Sequence, residues 1–207
     1  MAYRRAILKM EELLIWINEK NEIIGYGKKQ DTHIRGQLHR AFSVFIYDPE
    51  KKAMLIQKRA KGKYHSGGLW SNACCSHPRK EETWAAALSR CLKEELGVDV
   101  RLRQIKSETP EGVAADKKDE CFVYAGDFQY YSSYGELAEH ELDSVFVYRR
   151  TFTEQDISCN PNEAEEILWI HPDELELWLA NNPERFTSWF APAYEIAKTK
   201  IQDKKEG

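Results

Sequence analysis

The stretch Ser71–Gly97, SNACCSHPRKEETWAAALSRCLKEELG, constrains this chain more than any other. Its first seven residues bring Cys74, Cys75 and His77 close together. The remainder has helical character over Thr83–Leu96, with alanines inside and Gly97 placed as a C-terminal stop. At about 100° per residue, Glu95 shares a face with Leu88, Cys91 and Leu92, while Glu94 falls nearer Ala87 and Arg90. An acid on an apolar face is costly to desolvate unless it meets a cation or a metal. The rest of the chain is expected to bring groups to this stretch.

Strands dominate the flanks. Leu13–Ile17 and Glu22–Gly27 read as a β-hairpin. Lys28–Arg40 is polar and basic and carries His33 and His39. Ala41–Tyr47, AFSVFIY, is rich in β-branched and aromatic residues and reads as a strand. Asp48-Pro49-Glu50-Lys51-Lys52 turns it back into Met54–Gln57. A basic loop, Lys58–Gly68, follows. Val98–Ile105, Glu120–Phe128, Ser144–Tyr148 and Ile167–Ile170 are expected strands, with Ser107–Lys118 a polar loop and Tyr130–His140 a connection. Pro172-Asp173-Glu174 opens a helix, because proline suits the first turn and acids suit its dipole. A last helix is expected over Ser188–Ile201. This pattern predicts an α+β fold around a mixed sheet.

The 207 residues suit one domain of ordinary size, and a 42% hydrophobic share allows a sizeable core. A net charge of −4 does not suggest nucleic acid or an anionic membrane as partner. No apolar run approaches the roughly 20 residues of a membrane span. The basic start, MAYRRAILKMEELL, lacks the uninterrupted apolar segment and small-residue cleavage site of a signal peptide. Five cysteines, two adjacent, argue for reduced thiols in a cytosol over a disulfide frame.

Several constellations could carry chemistry. Cys74, Cys75 and His77 could open a zinc site, but Cys91, Cys121 and Cys159 are scattered singly and offer no second ligand pair. Taken alone, the segment is two small core residues beside a surface histidine. His33, His39 and His77 are half of the six histidines, and imidazole is the commonest nitrogen ligand for transition metals. Glu139 and Glu141 point to one side of an extended chain, either as a metal or acid/base pair or as a solvated strand face that Asp143 continues. Lys29, Arg59 and Lys63 offer cations to a phosphate-bearing ligand or simply line a solvated loop. Tyr130 and Trp189 are aromatics that serve either a core or a cation-stabilising face.

Together LHRAFSVF (Leu38–Phe45), SNACCSHP (Ser71–Pro78) and EHELD (Glu139–Asp143), in this order, resemble the type I isopentenyl-diphosphate delta-isomerases of the Nudix superfamily. The resemblance runs from about Lys28 to Trp189. It implies a Nudix-like mixed sheet flanked by helices, with residues 1–207 as one isomerase domain in the cytoplasm. By motif, it implies Cys75 as catalytic cysteine and Glu141 as the acid/base facing it. It implies His33, His39, His77, Glu139 and Glu141 as ligands of a divalent metal, Mg²⁺ with Mn²⁺ or Zn²⁺ as alternatives. Glu95 would serve a second ion that bridges to a small-molecule diphosphate substrate. Lys29, Arg59 and Lys63 would bind that diphosphate, and Tyr130 and Trp189 would be active-site aromatics. Laid on the Nudix pattern, the chain has Glu82, Arg90, Glu94, Glu95 and Gly97 in place. Ser76 stands where the pattern has glycine, and Cys91 where it has glutamate. The lost acid counts against a Nudix hydrolase. Hydrolysis of a diphosphate and a non-catalytic metal-stabilised binding domain remain the alternatives.

Overall fold

The computed structural model describes residues 12–63, 65–106, 109–117 and 120–201. The basic Met1–Leu14 stretch, read as carrying no signal peptide, lies outside them as far as residue 11.

The chain opens with the expected hairpin, β1 (Leu13–Ile17) and β2 (Ile23–Lys28), paired antiparallel. A short helix, α1 (Lys29–Arg35), follows in the segment read only as polar and basic, and Gly36 ends it at φ 58°. Next come β3 (His39–Asp48), β4 (Ala53–Arg59), β5 (Trp70–Ser71) and β6 (Cys74–Ser76). Helix α2 (Trp84–Leu96) begins where the Thr83 hydroxyl accepts the Ala86 N–H at 3.2 Å and stops at Gly97, φ 67°. After β7 (Leu102–Gln104) and β8 (Val113–Ala115), two long strands, β9 (Cys121–Tyr134) and β10 (Leu137–Arg149), form an antiparallel hairpin. The chain closes with β11 (Ala164–Ile170), α3 (Pro172–Asn181) and α4 (Phe190–Ile201).

Among the described residues, strand β3 organises a nine-stranded mixed sheet. Along one edge β10 runs parallel to it from Glu141↔His39 to Arg149↔Tyr47. Its other edge is shared in turn by β1 at His39, β6 at Phe42–Val44 and β4 at Ile46–Asp48. Both faces of the sheet are covered, which is why Ala41–Tyr47 of β3 and Val145–Tyr148 of β10 are largely apolar. Phe42, Val44, Ile46, Phe146 and Tyr148 pack with Leu88, Leu92 and Leu96 of α2. Phe45, Val145 and Val147 pack with Phe190, Tyr194 and Ala197 of α4.

Three expectations are corrected. Val98–Ile105 is strand only at Leu102–Gln104. The alternation is real, with Val98 and Val100 buried and Asp99 and Arg101 exposed, but no described strand pairs with it until β8 meets Leu102. Tyr130–His140 is not a connection. It is the paired end of the β9–β10 hairpin, turned at Gly135, φ 65°. Its polar residues suggested a loop because one face lines a site and the other meets water. Ser107–Lys118 contains a 3₁₀ turn at Pro110–Gly112 and strand β8, with residues 107, 108 and 118 outside the described set.

Candidate active site

The parallel register of β3 and β10 sets Glu141 beside His39. Strand β6 ends at Ser76, opposite Phe42 of β3, so His77 emerges next to the same pair. Helix α1 delivers His33, and its place depends on Trp16, whose Nε1 donates to Thr32 Oγ1 at 2.8 Å. Gly27 makes room for that indole, since a Cβ there would lie 1.9 Å from Trp16 Cζ2. The result is a buried cluster in which His33, His39, His77 and Glu141 each offer a ligand atom, all within 4.8 Å of one another. Glu141 Oε1 is 3.0 Å from His77 Nε2, 3.4 Å from His39 Nε2 and 4.0 Å from His33 Nε2.

The donor set fits a divalent transition metal. His33 Nδ1 lies 2.7 Å from the Lys29 carbonyl and His39 Nδ1 2.8 Å from the Gln37 carbonyl. Such contacts fix Nδ1 as the protonated nitrogen and leave Nε2 as the ligating one. His39 Nε2 is buried and makes no hydrogen bond. Burial pushes the His33 and His77 imidazoles down, to about 4 and about 3, so both are neutral, as ligation requires. Burial would raise Glu141, but the His39 and His77 imidazoles facing its Oε1 outweigh burial and hold the carboxylate well below its usual range.

Glu139 stands outside this group of four. Its Oε2 accepts the Tyr130 hydroxyl at 3.2 Å, and its Oε1 lies 2.8 Å from His65 Nε2. Tyr130 sits opposite Glu141 in the β9–β10 register and donates to its Oε2 at 2.7 Å. Burial, and then the neighbouring Glu141 charge, raise the Glu139 carboxyl. These acids are not a solvated face, for Glu139, Glu141 and Asp143 are all buried. Asp143, read as support for the solvated reading, accepts the Ser43 hydroxyl at 2.8 Å and lines the cavity.

That cavity has a volume of about 180 Å³. Cys75, Tyr130, Glu139, Glu141 and Trp189 line it together with Lys29, Arg59 and Lys63. Cys75 is half-buried, and burial pushes its thiol well above the ordinary value, against the pull of Arg59, whose Nη1 is 3.9 Å from the sulfur. Arg59 is buried and lies over the Trp189 ring, 5.2 Å from its centroid. Trp189 is fixed by Nε1 donating to Asn72 Oδ1 at 3.2 Å. Lys63 pairs with Glu163.

Glu95 also lines the cavity, on the face of α2 the pattern assigned to it. It accepts Gln57 Nε2 at 3.1 Å and the Cys91 thiol at 3.3 Å, and burial raises its carboxyl to about 7. Arg90 ties α2 to the segment carrying His77. It donates to Glu82 at 2.8 Å, to Glu94 at 3.2 Å and to the His77 carbonyl at 3.1 Å. The residues assigned by motif, Lys29, His33, His39, Arg59, Lys63, Cys75, His77, Glu95, Tyr130, Glu139, Glu141 and Trp189, therefore line this cavity or belong to the cluster that shares His77 and Glu141 with it, whereas Cys74, Cys121 and Cys159 do neither. His65 was missed, because a lone histidine in a loop carries no pattern.

The fold and this cavity define a class, and comparison with known proteins agrees. The NUDIX domain family matches residues 37–190, and the chain belongs to it. A protein from Deinococcus radiodurans superposes with a TM-score of 0.64 at 17% identity, covering 89% of this chain and 99% of its own. A MutT protein from Methanosarcina mazei gives 0.55 at 15%, covering 80% and 96%. At such identities these show the fold alone. Among curated relatives, "Isopentenyl-diphosphate Delta-isomerase 2" of Aromatoleum aromaticum is 40% identical, covering 88% of this chain and 84% of that one. The "Isopentenyl-diphosphate Delta-isomerase" of Serratia proteamaculans is 37% identical, covering 87% and 88%. Within the Nudix proteins, the chain is a member of the isopentenyl-diphosphate Delta-isomerase family.

Proposed function

We propose that this protein is a cytoplasmic isomerase, acting as one domain, that interconverts isopentenyl and dimethylallyl diphosphate. The observation that carries the reading is one cavity shared by the Cys75 thiol, the Tyr130–Glu141 pair and three cations, set on a buried cluster of three imidazoles and a carboxylate. All five cysteines are free thiols, which supports the reduced compartment. Among the described residues no helix is long and apolar enough to cross a membrane.

In the reaction the terminal methylene carbon gains a proton, and the carbon next to the diphosphate-bearing one loses a proton. A tertiary carbocation-like species lies between. Cys75 and Glu141 act on opposite faces of the substrate, one as acid and the other as base. Tyr130 holds Glu141 Oε2 through its hydroxyl. The Trp189 face stabilises the cation by about 1–2 kcal/mol in a dry pocket. Lys29, Arg59 and Lys63 hold the diphosphate, Lys63 exchanging its Glu163 partner for phosphate oxygen. His33, His39, His77 and Glu141, with Glu139 beside them, would hold a divalent metal, whose charge would tune the Glu141 carboxylate. Glu95 would serve a second divalent ion, which would help neutralise the diphosphate charge.

The test is proton NMR of isopentenyl diphosphate with the protein and Mg²⁺ in D₂O. Dimethylallyl methyl signals, with deuterium entering, are expected. Unchanged substrate from folded, metal-loaded protein would remove the reading. Cys75→Ala and Glu141→Gln are each expected to abolish turnover while the circular dichroism spectrum stays native. Near-normal turnover in either variant would overturn the role given to that residue.

A further inference from the structure

His65 lies between β4 and β5, on the loop that follows Arg59 and carries Lys63, and it is only 7% exposed. Its Nε2 is 2.8 Å from Glu139 Oε1, and its Nδ1 is 3.4 Å from Ser66 Oγ. The imidazole stacks on Tyr134, centroids 4.8 Å apart at 23°, and meets Trp189 edge-on at 6.0 Å and 81°. The Tyr134 hydroxyl in turn lies 2.8 Å from the hydroxyl of Ser188, the residue before Trp189. One ring therefore joins four pieces of the fold: the β4–β5 loop, the tip of β9, strand β10 and the start of the last helix.

The Glu139 carboxylate has two oxygens, and Tyr130 takes only Oε2. A single contact leaves a carboxylate free to turn about its χ3 torsion, which is soft. The contact with His65 removes that freedom. It also holds Oε1 against His65, while the four groups whose ligand atoms lie together, His33, His39, His77 and Glu141, do not include Glu139. We propose that His65 is the positioning residue for Glu139: it fixes how that carboxylate is presented to the metal cluster, and its ring backs Trp189 against the same cavity. The loop bearing Lys63 is thereby coupled to the metal site. The inference rests on the metal-site reading given above.

The test separates ring from hydrogen bond. His65→Phe keeps the stack on Tyr134 and loses the contact with Glu139. His65→Gln restores a group at the Nε2 position that can donate or accept. Mn²⁺ affinity, read by electron paramagnetic resonance of free ion, is expected to fall about 10-fold or more in His65→Phe, the usual consequence of losing a partner that orients a ligand. A fall in kcat with little change in KM should accompany it. His65→Gln should recover most of both, and in a Glu139→Gln background the His65→Phe effect should shrink. Binding and kcat within twofold of the wild type in His65→Phe, or an equal loss in His65→Gln, would overturn the proposal. A wild-type protein that binds no Mn²⁺ and does not isomerise would overturn the metal-site reading as well. A measurement on the unaltered protein covers the case of a variant that does not fold. On titration with Zn²⁺, the His65 imidazole nitrogen resonances should shift with the midpoint of the cluster histidines. Resonances that stay in place would overturn the proposal.

Discussion

Asp48 shows what a single buried charge contributes to this fold. Its carboxylate accepts the backbone N–H groups of Glu50, Lys51 and Phe152 at 2.9, 3.1 and 2.9 Å and the Lys51 ammonium at 2.6 Å. Burial would raise its pKa, but the Lys51 ammonium and these N–H groups outweigh burial, and the carboxyl titrates below its ordinary value. A depressed folded-state pKa contributes stability that is present above the unfolded value of about 3.9 and lost as pH falls through the folded one. Asp48→Asn is therefore expected to lower the unfolding free energy by about 1–3 kcal/mol at pH 7. In urea melts repeated at falling pH, the gap to the wild type should narrow below about pH 3.9. A gap that is constant with pH would show that the Asp48 charge is not what stabilises the turn. Turnover is not expected to change at pH 7, because Asp48 closes the β3–β4 turn and does not line the cavity.

At the scale of elements, the hairpin β1–β2 places helix α1, and α1 carries His33 into the cluster. The link is Trp16, which lies over Gly27 and donates to Thr32. A methyl group at position 27 must displace the indole, so Gly27→Ala is expected to cost about 1–3 kcal/mol as overpacking. For a chain of this length that lowers the melting temperature by about 2–4 °C per kcal/mol. Because the displaced indole also releases Thr32, Mn²⁺ affinity should fall along with stability, which calorimetric titration would read. Unchanged affinity in a destabilised variant would mean that α1 holds His33 without Trp16. Helix α2 was legible in sequence from its alanines and its stop at Gly97. Helix α1 was not, because its seven residues, KQDTHIR, are polar almost throughout and take their place from tertiary contacts, among them the Trp16–Thr32 hydrogen bond.

Across the whole molecule, three imidazoles and a carboxylate from α1, β3, the segment after β6, and β10 converge where β3 begins. An ion bound there by the folded state alone stabilises it by RT ln(1 + [M]/Kd), about 2.7 kcal/mol at 100 times Kd. Adding Mn²⁺ to protein stripped with a chelator should therefore raise the melting temperature by about 5–10 °C. Glu141→Gln should remove most of that rise, and a rise of full size in the variant would exclude the cluster as the binding site. The apolar strands, the helix over Thr83–Leu96 with its stop at Gly97, and the ordered motifs that single out Cys75, His77, Glu139 and Glu141 can all be read along the chain. These are legible because they are local: periodicity, caps and motif order are properties of neighbouring residues. That Glu139, Glu141 and Asp143 are buried and not solvated follows from the closure of the fold around them. The same closure pairs Tyr130–His140 as a hairpin, leaves Val98–Val100 with no strand partner among the described residues, and brings His65 to Glu139 across 74 residues of chain. Burial and pairing depend on what another part of the chain presents, so an alternation or a lone histidine has no fixed meaning until the sheet has closed around it.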